Sequence, residues 1–196
     1  GEPPLSLSTG DLTGDGHVDV LVSFTTLGAG RVSTVALFSG DGSGRFNMPV
    51  EVAPRGTIFF DSLVADLDLD GRQDFITIRS LTGYGNYKVV QYLHRSDGTF
   101  EAVPLAQPDA FTGPTMRALQ LRDLNDDGHL DLTVLTGYAW SVQFGAAAGL
   151  TGPTASYQSL RSGSSGVAFF DADADGVDDA VLVRSNPLGV ELLLAQ

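Results

Sequence analysis

Four acidic nonapeptides of one pattern are the part of this chain that could do chemistry. They span Asp11–Asp19, Asp66–Asp74, Asp123–Asp131 and Asp171–Asp179, with oxygen-bearing side chains at positions 1, 3, 5 and 9 and glycine at position 6. Calcium takes roughly six to eight oxygen ligands, and glycine lets the backbone turn sharply around the ion. Position 7 offers its backbone carbonyl, so its side chain is free to vary. The pattern predicts about four Ca²⁺ sites, with these ligands: Asp11, Thr13, Asp15, His17 and Asp19; Asp66, Asp68, Asp70, Arg72 and Asp74; Asp123, Asn125, Asp127, His129 and Asp131; Asp171, Asp173, Asp175, Val177 and Asp179.

An EF-hand is the first alternative for such loops, and the sequence argues against it. An EF-hand needs a bidentate glutamate at position 12 and a helix on each side. Position 12 is Val22, Thr77, Val134 or Leu182, and the residues after each loop form apolar runs typical of buried strands.

A second alternative is that Asp-Gly clusters only form turns. A plain turn requires neither the aspartate at position 9 nor the oxygen at position 3, and both recur in all four copies. Magnesium is disfavoured because it demands a tighter octahedron, and soft metals because the loops offer no thiolate. The first loop, with Thr13 in place of a carboxylate, is the weakest of the four predicted sites.

Composition narrows the classes of function. The formal net charge is −13, and most of the 24 acidic residues lie in the nonapeptides, so the acidity reflects the metal loops more than a partner. Only 11 Lys and Arg are present, without a cluster, so we expect no nucleic acid partner. No apolar run is long enough for membrane insertion. The chain has no cysteine, and calcium sites of modest affinity suit an extracellular, secreted or cell-surface setting.

The spacing of the nonapeptides predicts the architecture. Each is preceded by a short apolar strand and followed by a second and third strand, and the first three repeats add a more polar fourth strand. Short connections make consecutive strands antiparallel neighbours, and four-stranded antiparallel units in series are propeller blades. We therefore expect an all-β fold, a single β-propeller region over residues 1–196, with approximate repeats 1–53, 54–107, 108–160 and 161–196.

The loops, the hydrophobic strands after them and the glycine-rich turn Ser39–Phe46 resemble FG-GAP/VCBS repeats, the repeats of the integrin α-subunit propeller. The resemblance implies calcium on the hairpin between the first two strands of each blade, and partner binding on the opposite face. Propellers of this family usually have about seven blades. The four repeats here are accordingly expected to be a fragment of a larger parent propeller, a small propeller, or one half of an oligomer.

The predicted partner face carries basic and aromatic side chains. Exposed tyrosine and tryptophan anchor interfaces and stack on sugars. Arg31, Phe59 and Phe111 belong to this set, and the strongest candidates are Arg55, Tyr84, Tyr87, Tyr138 and Trp140. The alternative is that several of these aromatic residues are buried at strand ends.

Catalytic motifs are lacking, so we expect no enzyme. His17 and His129 lie inside the loops, and His94 stands alone. Two functions remain: a calcium-stabilised surface module that binds a protein or the extracellular matrix, and a carbohydrate-binding propeller, free or appended to a secreted hydrolase.

Overall fold

The computed structural model describes residues 4–26, 32–53, 58–80, 87–103, 105, 116–136, 139–158, 164–176, 178–185 and 188–193. The strands in these residues fall into four antiparallel sheets that follow one another along the chain. The first sheet has β1 (Pro4–Gly10), β2 (Asp19–Thr26), β3 (Val32–Phe38) and β4 (Val50–Glu51); the second has β5 (Ile58–Ala65), β6 (Asp74–Ser80), β7 (Tyr87–His94) and β8 (Phe100–Val103); the third has β9 (Met116–Arg122), β10 (Asp131–Thr136), β11 (Ala139–Gln143) and β12 (Thr154–Gln158); the fourth has β13 (Ser164–Phe170), β14 (Asp179–Ser185) and β15 (Leu188–Leu193).

The predicted all-β fold and the order of its strands are confirmed. Each sheet is a meander in which neighbouring strands are also consecutive in the chain. Two details differ from the sequence-based prediction. Each second strand begins at the aspartate of position 9 itself, and β4 is reduced to two residues. Within the described part of the chain, no helix has the length and hydropathy that a membrane span requires.

The sheets stack face to face because side chains alternate along each second strand. Phe75 of β6 points toward the first sheet, in a cluster that includes Leu21 and Val35 of that sheet. Its ring stacks at 4.6 Å on Tyr92, its cross-strand neighbour in β7. Its neighbour Ile76 points to the other side. Separate apolar clusters thus fill each gap between sheets: Leu12, Leu21, Val35, Leu37, Phe75 and Tyr92 in the first; Ile76, Ile78, Val89, Leu119, Leu132 and Val134 in the second; Leu135, Val167 and Leu182 in the third.

Polar contacts join the first strands of consecutive sheets. The hydroxyl of Ser62 in β5 lies 2.9 Å from that of Ser6 and 3.0 Å from that of Ser8 in β1. The carboxylate of Asp61 accepts the N–H of Leu119 in β9, across the second gap. In the third gap, Gln120 Nε2 donates to the carbonyl of Val167 at 3.0 Å, and Arg122 Nη1 donates to that of Phe169 at 3.0 Å. Among the described strands, extensive contacts join only sheets that are consecutive in the chain.

The loop between the first and second strands contains two residues in the left-handed region. The glycine at position 6 has φ between 84° and 91° in all four loops: Gly16, Gly71, Gly128 and Gly176. Position 4 is left-handed as well, but only the first loop places a glycine there. The others have Leu69 at φ 58°, Asp126 at φ 55° and Ala174 at φ 64°. For an L-residue this conformation costs about 1–2 kcal/mol, so these loops hold strain that the sequence pattern did not show.

Burial of Asp61 between two sheets makes the stability of the fold sensitive to pH. Burial raises the pKa of this carboxyl above its ordinary value, although the N–H groups of Ser62 and Leu119 oppose the effect. A folded-state pKa above the unfolded value means that this contribution to stability is full below about pH 4 and is lost as pH rises through the folded pKa. The substitution Asp61→Asn removes the titration. Its effect on the free energy of unfolding should therefore be more favourable at pH 7 than at pH 4.

Urea unfolding of the parent and of Asp61→Asn at the two pH values, both in chelator, measures this difference. The parent serves as the control for every other titrating group. An effect that is equal at the two pH values would show that Asp61 ionises freely in the fold.

Strain at position 4 predicts opposite effects for two neighbouring substitutions. Leu69 is more than half exposed, so Leu69→Gly removes little packing and should stabilise the metal-free protein by about 1 kcal/mol. Gly71→Ala should destabilise it by about 1–2 kcal/mol. A Cβ at Gly71 meets no atom within 4 Å, so this loss comes from the backbone alone. Urea midpoints measured in chelator test the pair, and shifts in the same direction would contradict the strain argument.

Candidate metal centre

The aspartate at position 1 organises each loop from within. One of its carboxylate oxygens accepts the N–H of the glycine at position 6, at 2.8–3.0 Å. The other accepts the N–H of the residue at position 5, at 3.1–3.2 Å. These bonds curl the backbone around the carboxylate, as oxygen ligation of a central ion requires. The four aspartates are Asp11, Asp66, Asp123 and Asp171.

The aspartate at position 5 fixes the next residues. Its Oδ1 accepts the N–H of position 7 at 2.9 Å in the first three loops, from His17, Arg72 and His129. Val177, the corresponding residue of the fourth loop, lies outside the described residues. At position 3, Asn125 Oδ1 accepts the N–H of Asp127 at 3.3 Å, and Asp173 Oδ1 accepts that of Asp175 at 3.2 Å.

The aspartate at position 9 is fully buried in every loop: Asp19, Asp74, Asp131 and Asp179. Its Oδ2 accepts the N–H of position 2 at 2.7–2.8 Å in the last three loops, and that of Thr13 at 2.9 Å in the first. In the first three sheets its Oδ1 accepts a second N–H, from Gly40 at 2.9 Å, His94 at 2.7 Å or Gly145 at 2.8 Å. His94 is the last residue of its third strand, and Gly40 and Gly145 lie two residues beyond theirs. The carboxylate therefore ties the acidic loop to the end of the third strand.

Two of these buried carboxylates, Asp74 and Asp131, are weaker acids than an ordinary aspartate. Burial raises the pKa of Asp74 to about 6, with the N–H groups of His94 and Leu67 acting in the opposite direction and Asp68 and Asp70 adding to the rise. Burial likewise raises the pKa of Asp131. The pKa of Asp68 is raised by burial and by the adjacent charge of Asp70. Negative charge is thus concentrated where water is largely excluded, and a bound cation would relieve it.

The residues present fit a hard cation. Carboxylate oxygens of Asp66, Asp68 and Asp74 all lie within 4.8 Å of one another, and the same holds for Asp171, Asp173 and Asp179. Asp68 Oδ1 is buried and receives no hydrogen bond from the described residues. Three converging carboxylates with one unpartnered oxygen are the donor set that Ca²⁺ prefers. The first and third loops have Thr13 and Asn125 at position 3, so they offer one carboxylate fewer.

Two arginine side chains lie close to carboxylates of the second loop. Arg72 forms an ion pair with Asp70, and its Nε donates to the carbonyl of His94 at 2.8 Å. Arg95 Nη1 lies 3.9 Å from Asp68 Oδ2, while its Nε donates to Glu101 at 2.7 Å. Both guanidinium groups are about one third exposed, so these pairs offset the loop's charge only weakly.

Two aspartates of the loops were not expected to bind metal, and the structure gives each another role. Asp126 holds the left-handed position 4 of the third loop. Asp178 forms an ion pair with Arg122, whose Nη2 donates to Asp178 Oδ1 at 2.9 Å. This pair joins the end of β9 to the fourth loop.

Sequence reasoning missed the partners of the buried aspartate. A Cβ at Gly40 would lie 2.2 Å from the carbonyl of Val18, and one at Gly145 would lie 2.5 Å from that of Leu130. Glycine is needed there because the two connections cross closely. The signal was available, since both glycines open a turn after a third strand. In the second sheet His94 takes this place, and its buried ring stacks on Phe100 at 4.7 Å.

Most of the predicted partner-binding residues lie outside the described residues: Arg31, Arg55, Tyr84, Phe111 and Tyr138. Phe59 and Tyr87 are placed in β5 and β7 by their backbones. Trp140 of β11 is partly buried, and its ring meets Phe169 edge to face at 5.9 Å in the gap between the third and fourth sheets. Part of the indole is therefore buried, in line with the alternative that some of these aromatic residues pack at strand ends. Its role in binding stays a prediction.

Known proteins were compared with this chain by sequence, by structure and by family profile. No curated protein sequence matches the chain. Among solved structures it is similar to an Agrocybe aegerita lectin described in terms of specific recognition of non-reducing terminal N-acetylglucosamine, with 18% identity and a TM-score of 0.53. The match covers 92% of this chain and 46% of the lectin chain, so this chain spans about half the lectin's length.

The family assignment comes from the repeats themselves. The profile of the FG-GAP-like repeat matches residues 11–77 and 66–134, which together exceed half of the chain. Each matched segment begins at the first aspartate of a nonapeptide and continues into the second strand of the next sheet. By its loops, its serial antiparallel sheets and this match, the chain belongs to the FG-GAP-like repeat family.

Proposed function

We propose that the chain is a non-catalytic binding module for an extracellular or cell-surface setting, in which Ca²⁺ held by the loops stabilises each sheet. The observation that carries the proposal is the second loop, where three carboxylates converge and Asp68 Oδ1 has no donor among the described residues. Membership of a repeat family and the fold shared with a lectin support a binding role.

The loop residues would hold the ion as the predicted ligand set describes. Side chains at positions 1, 3, 5 and 9 supply oxygens, and position 7 supplies its carbonyl. The bound ion supplies positive charge at the centre of the loop. Because Asp74 at position 9 also accepts the N–H of His94 at the end of the third strand, a cation there would stabilise the loop and that strand end together.

The energetic scale suits a stabilising rather than a catalytic metal. Extracellular calcium modules bind with a Kd on the order of 10⁻⁴–10⁻³ M. Calcium at ten times Kd stabilises a fold by roughly 1.4 kcal/mol per site. Several such sites are comparable with the typical net stability of a domain, about 5–15 kcal/mol. A chain without cysteine would gain from the ions what disulfides give other extracellular domains.

A protein partner would bind on the face opposite the loops. In the second candidate function, a carbohydrate-binding propeller, a glycan would bind on the same face. One observation favours that function: a structural relative is a lectin. Arg55, Tyr84, Tyr87, Tyr138 and Trp140 are the residues we propose for contact.

Calcium binding should be measurable directly. Titration calorimetry of the chelated protein should show Ca²⁺ uptake, and chelation should lower the Tm because the carboxylates lose their counter-charge. Asp68→Ala should remove one site from the stoichiometry and reduce the rise in Tm.

Asp97→Ala is the matched control, because Asp97 lies in the exposed turn between β7 and β8 and bonds only locally to Thr99. It should leave the number of ions unchanged. Absence of any calcium uptake by the parent would mean that the loops act only as turns, and the proposed stabilisation by metal would fail.

A glycan array separates the two binding functions. The primary proposal expects no specific glycan signal from the calcium-loaded protein. A signal for terminal N-acetylglucosamine that is lost in Trp140→Ala and kept in Trp140→Phe would favour the carbohydrate-binding function instead. The phenylalanine variant is the control, because it retains an aromatic ring against Phe169. Circular dichroism of all three proteins excludes loss of fold as the cause.

A further inference from the structure

The two faces of each sheet have fixed roles, which the second strand defines. We call the face toward the preceding sheet the leading face. On the second strand it carries the residue directly after the buried aspartate of position 9, and the residue two places after that one. In the last three sheets these residues are buried: Phe75 and Thr77, Leu132 and Val134, Ala180 and Leu182. The trailing face, toward the following sheet, carries the alternate positions. In the first three sheets these are also buried: Leu21 and Ser23, Ile76 and Ile78, Thr133 and Leu135.

The leading face of the first sheet is apolar but uncovered. Its residues Val20 and Val22 are only half-buried. Leu7 of β1, paired with Val22, is 62% exposed. The same register position is buried in the other sheets, where it is Ser62, Leu119 or Val167. A leucine thus occupies a position that every described internal interface covers.

The trailing face of the fourth sheet shows the reciprocal exposure. Val181 is half-buried, and Val183 is exposed where Ser23, Ile78 and Leu135 are buried. Val190 of β15 pairs with Val183 and is 69% exposed, and Phe170 at the end of β13 is exposed as well. The first and fourth sheets therefore carry two exposed apolar faces of complementary kind, and contiguous exposed apolar patches mark interaction sites.

We propose that a second copy of this chain covers these faces, with the trailing face of its fourth sheet stacked on the leading face of the first sheet of its partner. Each internal interface of the chain joins a trailing face to a leading face, and head-to-tail pairing of copies continues that order without a new kind of contact. Pairing of two leading faces has no precedent within the chain. Two copies also provide nearly the length of the lectin chain, of which one copy spans 46%.

The geometry of such pairing is heterologous, because different surfaces of the two copies meet. Heterologous contacts close into a ring when the rotation between copies permits, and otherwise extend. The two described faces lie at opposite ends of the series of sheets, so one copy uses both of them when a ring closes. Within the described strands the first and fourth sheets share no extensive contact, so these strands do not cover one another's outer faces.

Light scattering coupled to size exclusion, over a wide range of protein concentration and with calcium present, tests the proposal. The parent should have twice the mass of the chain. Leu7→Glu and Val190→Glu place a charge on opposite faces, and each variant alone should be monomeric. An equimolar mixture of the two should recover a heterodimer, because one intact trailing face and one intact leading face remain.

Met48→Glu is the control. Met48 is 86% exposed in the connection between β3 and β4, away from both faces, and its variant should keep the parent's mass. Circular dichroism confirms that each variant is folded. A parent that stays monomeric overturns the proposal and assigns the two faces to further sheets of a longer chain. A loss of assembly in Leu7→Glu alone, with Val190→Glu unaffected, overturns it in favour of contact between leading faces.

Discussion

The buried carboxylate at position 9 is the interaction on which each sheet depends. It lies at the first residue of the second strand and accepts an N–H of the acidic loop with one oxygen. In the first three sheets the other oxygen accepts an N–H at, or two residues after, the end of the third strand. An unpaired carboxylate at full burial would be costly. Two backbone donors and, as we propose, a cation in the loop make it tolerable. The acidic loop and the sheet geometry are therefore one structural unit rather than a metal site added to a scaffold.

The strict alternation of the second strands explains how four such units form a series. Phe75 and Ile76 are adjacent in sequence, yet they belong to apolar clusters on opposite sides of one sheet. A sheet packed on both faces needs large apolar residues at consecutive positions, which is why these strands read as continuous hydrophobic runs. The outer faces of the first and fourth sheets follow the same rule. They carry apolar residues at the positions that are buried between the other sheets, but no described sheet covers them.

Much of the fold was predictable because the nonapeptide marks a fixed point in each repeat. Once the loops were aligned, the apolar runs on either side gave the strand order, and the short connections gave antiparallel neighbours. Asp66, Asp68 and Asp74 were predicted as ligands, and the structure brings their oxygens together.

The left-handed conformation of Leu69 was not predictable, since leucine is an ordinary choice in many conformations and its strain depends on neighbouring bonds. Gly40 and Gly145 stand in the sequence at the turn after a third strand, but the contacts that require glycine there join segments 14 to 21 residues apart. The sequence pattern alone does not show that those segments meet. Binding residues such as Trp140 could not be predicted in the same way. The sequence does not distinguish an aromatic residue that packs at a strand end from one that contacts a partner.

The polar contacts between first strands have a consequence for how such repeats can change. The first gap uses serine hydroxyls, the second uses Asp61 on a backbone N–H, and the third uses Gln120 and Arg122 on backbone carbonyls. Each gap thus has its own chemistry, although the loops are nearly identical. Duplicating, deleting or exchanging one repeat would leave the remaining acidic loops intact while separating these donors from their acceptors. The polar contacts that distinguish one gap from the next are therefore made by a few side chains on the first strands of the sheets, and not by the acidic sequence that makes the repeats recognisable.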